Sequence, residues 1–207
     1  MTFGPDDFFE LVDVSRETRE KLEIYADLLE KWQKRINLVS PTTIQEKWWR
    51  HFYDSAQIME ILSAGPKGDL KILDIGSGAG FPGLVLALLG AGEVHLVESN
   101  NKKCTFMNQV IRETGANARV HCCRIEELAS FPVDYVTSRA LATVDKLLQW
   151  LEAFTSEETV FLFPKGRTWQ QELTEAEINW QFHVEKYTSK TEESGMILKL
   201  GRVRPRG

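Results

Sequence analysis

Three glycines at alternate positions, Gly76, Gly78 and Gly80, follow the apolar run Leu70-Lys71-Ile72-Leu73-Asp74-Ile75, and Phe81, Pro82 and Gly83 lead straight into another apolar stretch. Backbone without Cβ atoms turns sharply and approaches a ligand closely. The start of a following helix offers free N–H groups and a partial positive charge. A strand–loop–helix unit of this kind holds the polar part of a nucleotide-like cofactor at the carboxyl edge of an α/β sheet. Glu98 ends the next apolar run, 22 positions after Gly76, where a carboxylate accepts two hydrogen bonds from a ribose diol. Arg139, inside Ser138-Arg139-Ala140, and Lys165, before Gly166, close two later apolar runs. A guanidinium at such a strand end needs an anionic partner to offset its desolvation.

The elements that must position these groups are readable from periodicity. Strands are expected near 70–75, 93–98, 118–123, 133–138 and 158–163, with helices near 82–90, 101–115 and 143–154 between them. A polar helix near 168–178 precedes two further strands, about 180–188 and 195–203, joined by the turn Glu192-Glu193-Ser194-Gly195. Alternating strands and helices imply a mostly parallel sheet covered on both faces, here α/β and seven-stranded with an antiparallel C-terminal hairpin. Ahead of it, Leu22, Tyr25, Leu29, Trp32 and Ile36 lie at helical spacing over 16–36, with Ser15 placed as the cap. A second helix is expected from Thr43-Ile44-Gln45-Glu46, which has the form of a capping box, with Ile44, Trp48, Phe52, Met59 and Leu62 on its apolar face. Gly65-Pro66-Lys67-Gly68-Asp69 ends it. Residues 1–68 thus read as a helical cap packed on the core, not an independent unit, and 69–207 as the cofactor-binding domain.

Length and charge bound the rest. A chain of 207 residues suits one α/β domain with modest additions. The net charge of −5 does not advertise nucleic-acid binding, so contact with a polyanion must come from local cations. Candidates are Lys47 and Arg50, Lys102 and Lys103, Lys165 with Arg167, and Arg202, Arg204 and Arg206. No apolar run approaches the ~20 residues of a membrane span, and Met1–Asp7 lacks the regions of a secretory signal. The expectation is a cytoplasmic protein with no membrane association, a monomer by default. Cys104, Cys122 and Cys123 lack metal-ligand spacing, so no metal is expected, and none is expected to face the cleft.

The glycine pattern also bears on which cofactor is bound. A dinucleotide fingerprint starting at Gly76 needs its third glycine at position 81, where Phe81 stands; Gly78, Gly80 and Gly83 fit it only two residues late, around Pro82. The D-x-G-x-G-x-G form instead resembles the first motif of class I S-adenosyl-L-methionine-dependent methyltransferases, with a nicotinamide-dependent oxidoreductase as the alternative. In such a sheet Ile125 and Glu126, after the third strand, fall where adenine is read; the same residues also suit a plain helix start. The cofactor's carboxylate or an RNA phosphate would serve as the anion for Arg139, and a phosphate or base oxygen would meet Lys165. The loop after the fourth strand lacks the Asn/Asp-Pro-Pro-aromatic sequence that goes with methylation of exocyclic amines, and no cysteine is placed to attack a pyrimidine carbon. An acceptor whose lone pair is already free, such as guanine N7, needs neither device.

Several stretches together are similar to the RsmG (GidB) family of bacterial 16S ribosomal RNA guanine-N7 methyltransferases. They are Asn37-Leu38-Val39-Ser40, His51-Phe52-Tyr53-Asp54-Ser55, the 73–83 loop, Arg124-Ile125-Glu126-Glu127, Ser138-Arg139-Ala140 and Lys165-Gly166. The resemblance spans roughly 20–200 and implies a class I methyltransferase fold, S-adenosyl-L-methionine as cofactor, and 16S RNA as substrate, within the small ribosomal subunit or an assembly intermediate. It implies cofactor contacts at Gly76, Phe81, Ile125, Glu126 and Arg139, to which spacing adds Gly78, Gly80 and Glu98. It also implies catalytic roles for Arg139 and Lys165, and substrate-facing or loop-ordering roles for Asn37, His51, Asp54 and Arg124. Other acceptors, RNA or small molecule, and a non-catalytic cofactor- and RNA-binding module are the remaining alternatives.

Overall fold

A computed structural model describes residues 3–62 and 70–207. The expected turn at 65–69 and the expected domain boundary at 68/69 lie outside the described residues. Seven strands form one sheet: β1 Leu70–Ile75, β2 Gly92–Val97, β3 Ala118–His121, β4 Tyr135–Thr137, β5 Val160–Lys165, β6 Trp180–Thr188 and β7 Met196–Pro205. Their order is β3-β2-β1-β4-β5-β7-β6. The first five strands are parallel, and β7 pairs antiparallel with both β5 and β6. The expected architecture is therefore present, with strand ends shifted by no more than two residues.

The helices are α1 Pro5–Leu11, α2 Arg16–Gln33, α3 Asp54–Ala56, α4 Gly83–Leu88, α5 Asn101–Thr114, α6 Val144–Leu151 and α7 Trp169–Asn179. Alternation along each strand divides the core. Ile72, Val94 and Leu96 face Tyr25, Leu29, Phe52, Leu84 and Phe106, while Leu73, Ile75, Val97 and Val136 face Leu147, Leu148 and Leu173 on the other side. Ser15 caps α2 by accepting from Thr18 N at 3.1 Å, and Asn100 caps α5 by accepting from Lys102 N and Lys103 N. No helix among the described residues is long and apolar enough to cross a membrane.

The segment after α2 departs from expectation. In place of one capped helix, a 3-10 turn (Ile44–Glu46), a π-helical stretch (Trp48–Tyr53), α3 and a second 3-10 turn (Gln57–Glu60) follow one another. Thr43 makes no capping bond; its hydroxyl donates to Ser40 O at 3.0 Å and meets His51 Nε2 at 2.9 Å. The wider winding of Trp48–Tyr53 accompanies burial of Trp48, His51, Phe52 and Tyr53 together. Helix α1, absent from the sequence reading, is capped by Gly4, whose N–H donates to Asp7 Oδ2 at 2.6 Å. It buries Phe8 against Trp48 and Phe52.

Candidate functional site

Strands β1 and β4 are neighbours, yet the chain winds to β2 and β3 on one side and to β5 on the other. Loops 76–82 and 138–143 therefore part above the carboxyl edge and open a crevice, the place where doubly wound sheets bind ligands. Two adjoining cavities occupy it. One, of about 400 Å³, is lined by Glu98, Lys103, Cys123, Arg124, Ile125 and Glu126. The other, of about 660 Å³, lies between the glycine loop, the cap and the 189–192 hairpin tip. They share Gly76, Arg139, Ala140 and Leu141 as a common wall.

The glycine loop has the conformation its composition calls for. Gly76, Gly78 and Gly80 have φ of +65°, +59° and +93°, values that side chains with a Cβ rarely adopt. At Gly80 a Cβ would also stand 2.4 Å from Leu84 Cδ1. Glu98 braces this loop: Oε2 accepts from Gly78 N at 3.0 Å and Oε1 from Asn100 N at 2.8 Å. A carboxylate has about four acceptor positions, so lone pairs remain for a diol in the smaller cavity. From the cap, the Tyr25 hydroxyl donates to Ala79 O at 2.5 Å, and its ring stacks on Phe81 at 5.1 Å.

Beneath the loop, Asp74 is fully buried and accepts from Gly83 N at 3.3 Å through Oδ2. Its Oδ1 has no hydrogen-bond partner among the described residues, and neither has the hydroxyl of Thr137, the residue opposite Asp74 in the β1–β4 register. Burial pushes the Asp74 carboxyl up to about 7.

Arg139 is the hub of the shared wall. Nη1 donates to Asp54 Oδ2 at 3.0 Å and to Arg50 O at 3.1 Å, Nη2 donates to His51 Nδ1 at 3.1 Å, and the guanidinium lies 5.3 Å from the centre of the Phe81 ring. Arginine only donates, so His51 Nδ1 accepts, and Nε2 carries the proton that goes to the Thr43 hydroxyl. Burial drives His51 down to about 3, with the charges of Arg139 and Arg50 adding to the effect, so the ring is neutral at pH 7. Of Arg139's five N–H groups three are used, which leaves Nε–H and one Nη2–H without a partner among the described residues.

Lys165 is differently placed. Its side chain is 4% exposed, and Nζ donates to Glu172 Oε2 at 2.9 Å and to Ala142 O at 2.5 Å. Burial lowers its pKa against the pull of Glu172. Glu172 Oε2 also accepts from Val144 N, and the Ser138 hydroxyl donates to Ile75 O. The 138–144 loop is thus pinned at both ends. Between the pins, Ala140 has φ +52°, and the 43% exposed Leu141 lies where a Cβ on Gly76 would be, 2.7 Å from that position.

The structure gathers Gly76, Gly78, Phe81, Glu98, Arg124, Ile125, Glu126, His51, Asp54, Arg139 and Lys165 around the two cavities. Gly80 packs behind the loop against Leu84 and Tyr25. Asn37 is exposed and lines neither cavity, although Leu38, Val39 and Ser40 line the larger one. Arg124 is 64% exposed and stands 3.7 Å from Glu126. One expectation is corrected: Cys123 does line the smaller cavity, because β3 ends at His121 and Cys122–Cys123 turn into the cleft loop. Asp54 and His51, for which the resemblance implies substrate-facing or loop-ordering roles, spend their polar atoms on Arg139 and its neighbours. Thr191 and Leu141 were missed, since a hairpin-tip threonine and a loop leucine carry no signal in the sequence. Arg50, expected only as a candidate cation for a polyanion, lines the larger cavity.

The matches with known proteins agree with this geometry. The family model GidB, described as rRNA small subunit methyltransferase G, matches residues 18–197. The chain is 47% identical over 206 residues to a protein of Rhodospirillum centenum named ribosomal RNA small subunit methyltransferase G, covering all of this chain and 94% of the relative. It is 46% identical over 199 residues to the protein of that name from Rhodospirillum rubrum, covering 96% and 98%. Among solved structures, a SAM-dependent methyltransferase from Aquifex aeolicus superposes with a TM-score of 0.59 at 14% identity, covering 86% of this chain and 98% of that one. At that identity the likeness speaks for the fold, which is the class I methyltransferase fold.

Proposed function

We propose that this chain, which belongs to the GidB family of rRNA small subunit methyltransferases, moves a methyl group from S-adenosyl-L-methionine to N7 of one guanine in 16S ribosomal RNA. The observation that carries the reading is the pair of adjoining cavities that meet at Gly76 and Arg139. One is braced by a strand-end carboxylate, and the other opens between the cap and the hairpin. A two-substrate transfer needs this arrangement.

The residues present fit the cofactor. The Cβ-free loop leaves room for close backbone approach, the Glu98 carboxylate retains acceptor positions at the smaller cavity, and Ile125 offers an apolar face beside Glu126 for an adenine. When bound, S-adenosyl-L-methionine supplies an electrophilic methyl on a sulfonium. Glu98 would hold the ribose hydroxyls, and the free Nε–H and Nη2–H of Arg139 would hold the cofactor carboxylate or an RNA phosphate, as charge-assisted bonds. Guanine N7 has a free lone pair in the plane of the ring, so no residue must remove a proton from it. The protein's task is alignment, and proximity and orientation supply most of the rate. Neutral His51 stacks on Phe81 at 5.2 Å and holds Arg139 without adding a second positive charge beside a cationic product. Lys165 acts at the wall, by fixing the loop that carries Arg139.

The test is a methyl-transfer assay. Purified protein and tritiated S-adenosyl-L-methionine are offered small ribosomal subunits and naked 16S RNA from a strain that lacks the modification. Label in RNA, with aniline cleavage after borohydride at one guanine, is the expected result. Label at a base position that resists this cleavage would overturn N7, and absence of label despite cofactor binding would overturn the acceptor.

A further inference from the structure

The tip of the β6–β7 hairpin, residues 189–192, is far in sequence from every motif of the site yet folds onto the cap beside Arg139. Lys190 N donates to Gln57 Oε1 at 2.8 Å, and Lys190 Nζ pairs with Glu60 at 2.5 Å. Arg50 Nη1 donates to Thr191 O at 3.2 Å and to Glu192 Oε2 at 2.8 Å. These contacts dock the tip. The Thr191 hydroxyl does something else: it donates to Asp54 Oδ1, whose other oxygen holds Arg139. Thr191 is 7% exposed and lines the larger cavity.

We propose that Thr191 is a positioning residue of the methyl-transfer site: by fixing the Asp54 carboxylate it aims Arg139 along the wall between the two cavities. A carboxylate free to rotate about χ2 presents either oxygen to the guanidinium at several angles. Two donors on Oδ1, from Thr191 and from Gln57 Nε2 at 3.0 Å, leave Oδ2 as the one that faces Arg139. The guanidinium is a rigid planar fork, so the direction of its Nη1 bond fixes where Nε–H and the spare Nη2–H point. A reaction that depends on alignment loses rate steeply with small misplacements. The terminal hairpin therefore belongs to the working site, not only to the sheet edge. Thr191 touches neither substrate in this account and acts through Asp54. The inference rests on the function proposed above, with Arg139 as a ligand-holding group.

The experiment compares Thr191→Val, Thr191→Ser, Asp54→Asn and the double variant Thr191→Val/Asp54→Asn with the wild type. Melting temperature, affinity for S-adenosylhomocysteine by titration calorimetry, and turnover on small ribosomal subunits are measured for each. Valine keeps the shape of threonine and removes the hydroxyl, with its bond to Asp54 and its weaker contacts to Gln57 Nε2 and Ser189 Oγ. The expected result is a Thr191→Val protein that melts within a few degrees of wild type, with at least tenfold lower turnover or tenfold weaker S-adenosylhomocysteine binding, and with serine restoring both to within twofold. The double variant is expected to be no worse than Asp54→Asn alone, because residues acting through one another are not additive. A fully active valine variant, losses that multiply in the double variant, or a valine variant that fails to fold would each overturn the positioning role, the last by making Thr191 a stability residue. A wild-type protein that binds S-adenosylhomocysteine but labels no ribosomal RNA would sink the proposed acceptor, while the calorimetric arm still decides the role of Thr191.

Discussion

Glu98→Ala removes a side chain with two measurable duties. The carboxylate holds Gly78 N at 3.0 Å and Asn100 N at 2.8 Å, so it fixes the glycine loop and the start of α5 together. In the complex it would accept two ribose hydroxyls as well. A hydrogen bond to a charged group is worth roughly 1.5–3 kcal/mol. Glu98 is half-buried and its bonds compete with water, which places the combined loss at about 2–4 kcal/mol of binding, roughly 30- to 700-fold in Kd. Because Gly78 has φ +59° and is braced by that one carboxylate oxygen, part of the loss is loop disorder. Glu98→Gln separates the parts: its amide oxygen still accepts one bond, so it should fall between wild type and alanine. Titration calorimetry with S-adenosylhomocysteine reads the affinity, and circular dichroism melting confirms that the protein is folded. Unchanged affinity in a folded Glu98→Ala protein would refute the ribose assignment and, with it, the argument from spacing.

Arg139→Ala should lower turnover on ribosomal RNA by more than 100-fold and also destabilise the protein by about 1–3 kcal/mol, since it leaves the half-buried Asp54 carboxylate without its cation; an active variant in a turnover assay would make this arginine structural only. Gly80→Ala should cost about 1–3 kcal/mol in urea unfolding, from φ +93° and the 2.4 Å approach to Leu84, and neutral stability would contradict the described loop. Asp74, raised to about 7 from a usual carboxylate value, binds its proton more tightly folded than unfolded. Its contribution to stability is complete below about pH 4 and is lost as pH rises to about 7. The isosteric, uncharged Asp74→Asn should therefore gain on wild type in urea unfolding between pH 5 and 8, and a constant difference would contradict the raised pKa. His51 acts in the other direction: depressed to about 3, it supports the fold above about pH 6.5 and loses that contribution as pH falls toward 3, so a His51→Gln protein should show a shallower acid unfolding limb.

The fold was legible because its signals are local and repeated. Apolar runs of strand length alternate with amphipathic stretches, and the right-handed crossovers of such units narrow the sheet orders open to them. Ser15 marks a helix start through a hydrogen bond to its own next turn, a property of a few adjacent residues. The cap was less legible. Thr43 has the neighbours of a capping box, but His51, eight residues on, takes its hydroxyl once Phe52 and Trp48 are buried against Phe8. Tertiary burial there outweighs local capping, and the winding becomes irregular.

The site divides the same way. The sequence by itself determined the glycine loop, because positive φ and close approach demand residues without Cβ, and it determined Glu98 and Arg139, because strand ends in such a sheet face the cleft. It determined the family as well, through motifs kept in order along the chain. Only the tertiary structure decided what these groups are bonded to. Arg139 meets Asp54 and His51 from a segment over 80 residues earlier, Asp54 meets Thr191 from 137 residues later, and Lys165, at the wall of the larger cavity, is paired with Glu172. A side chain's type fixes which bonds it can make, and its position in a strand fixes the direction it faces. Which partner satisfies it depends on how separate elements pack, and no local pattern in the chain records that.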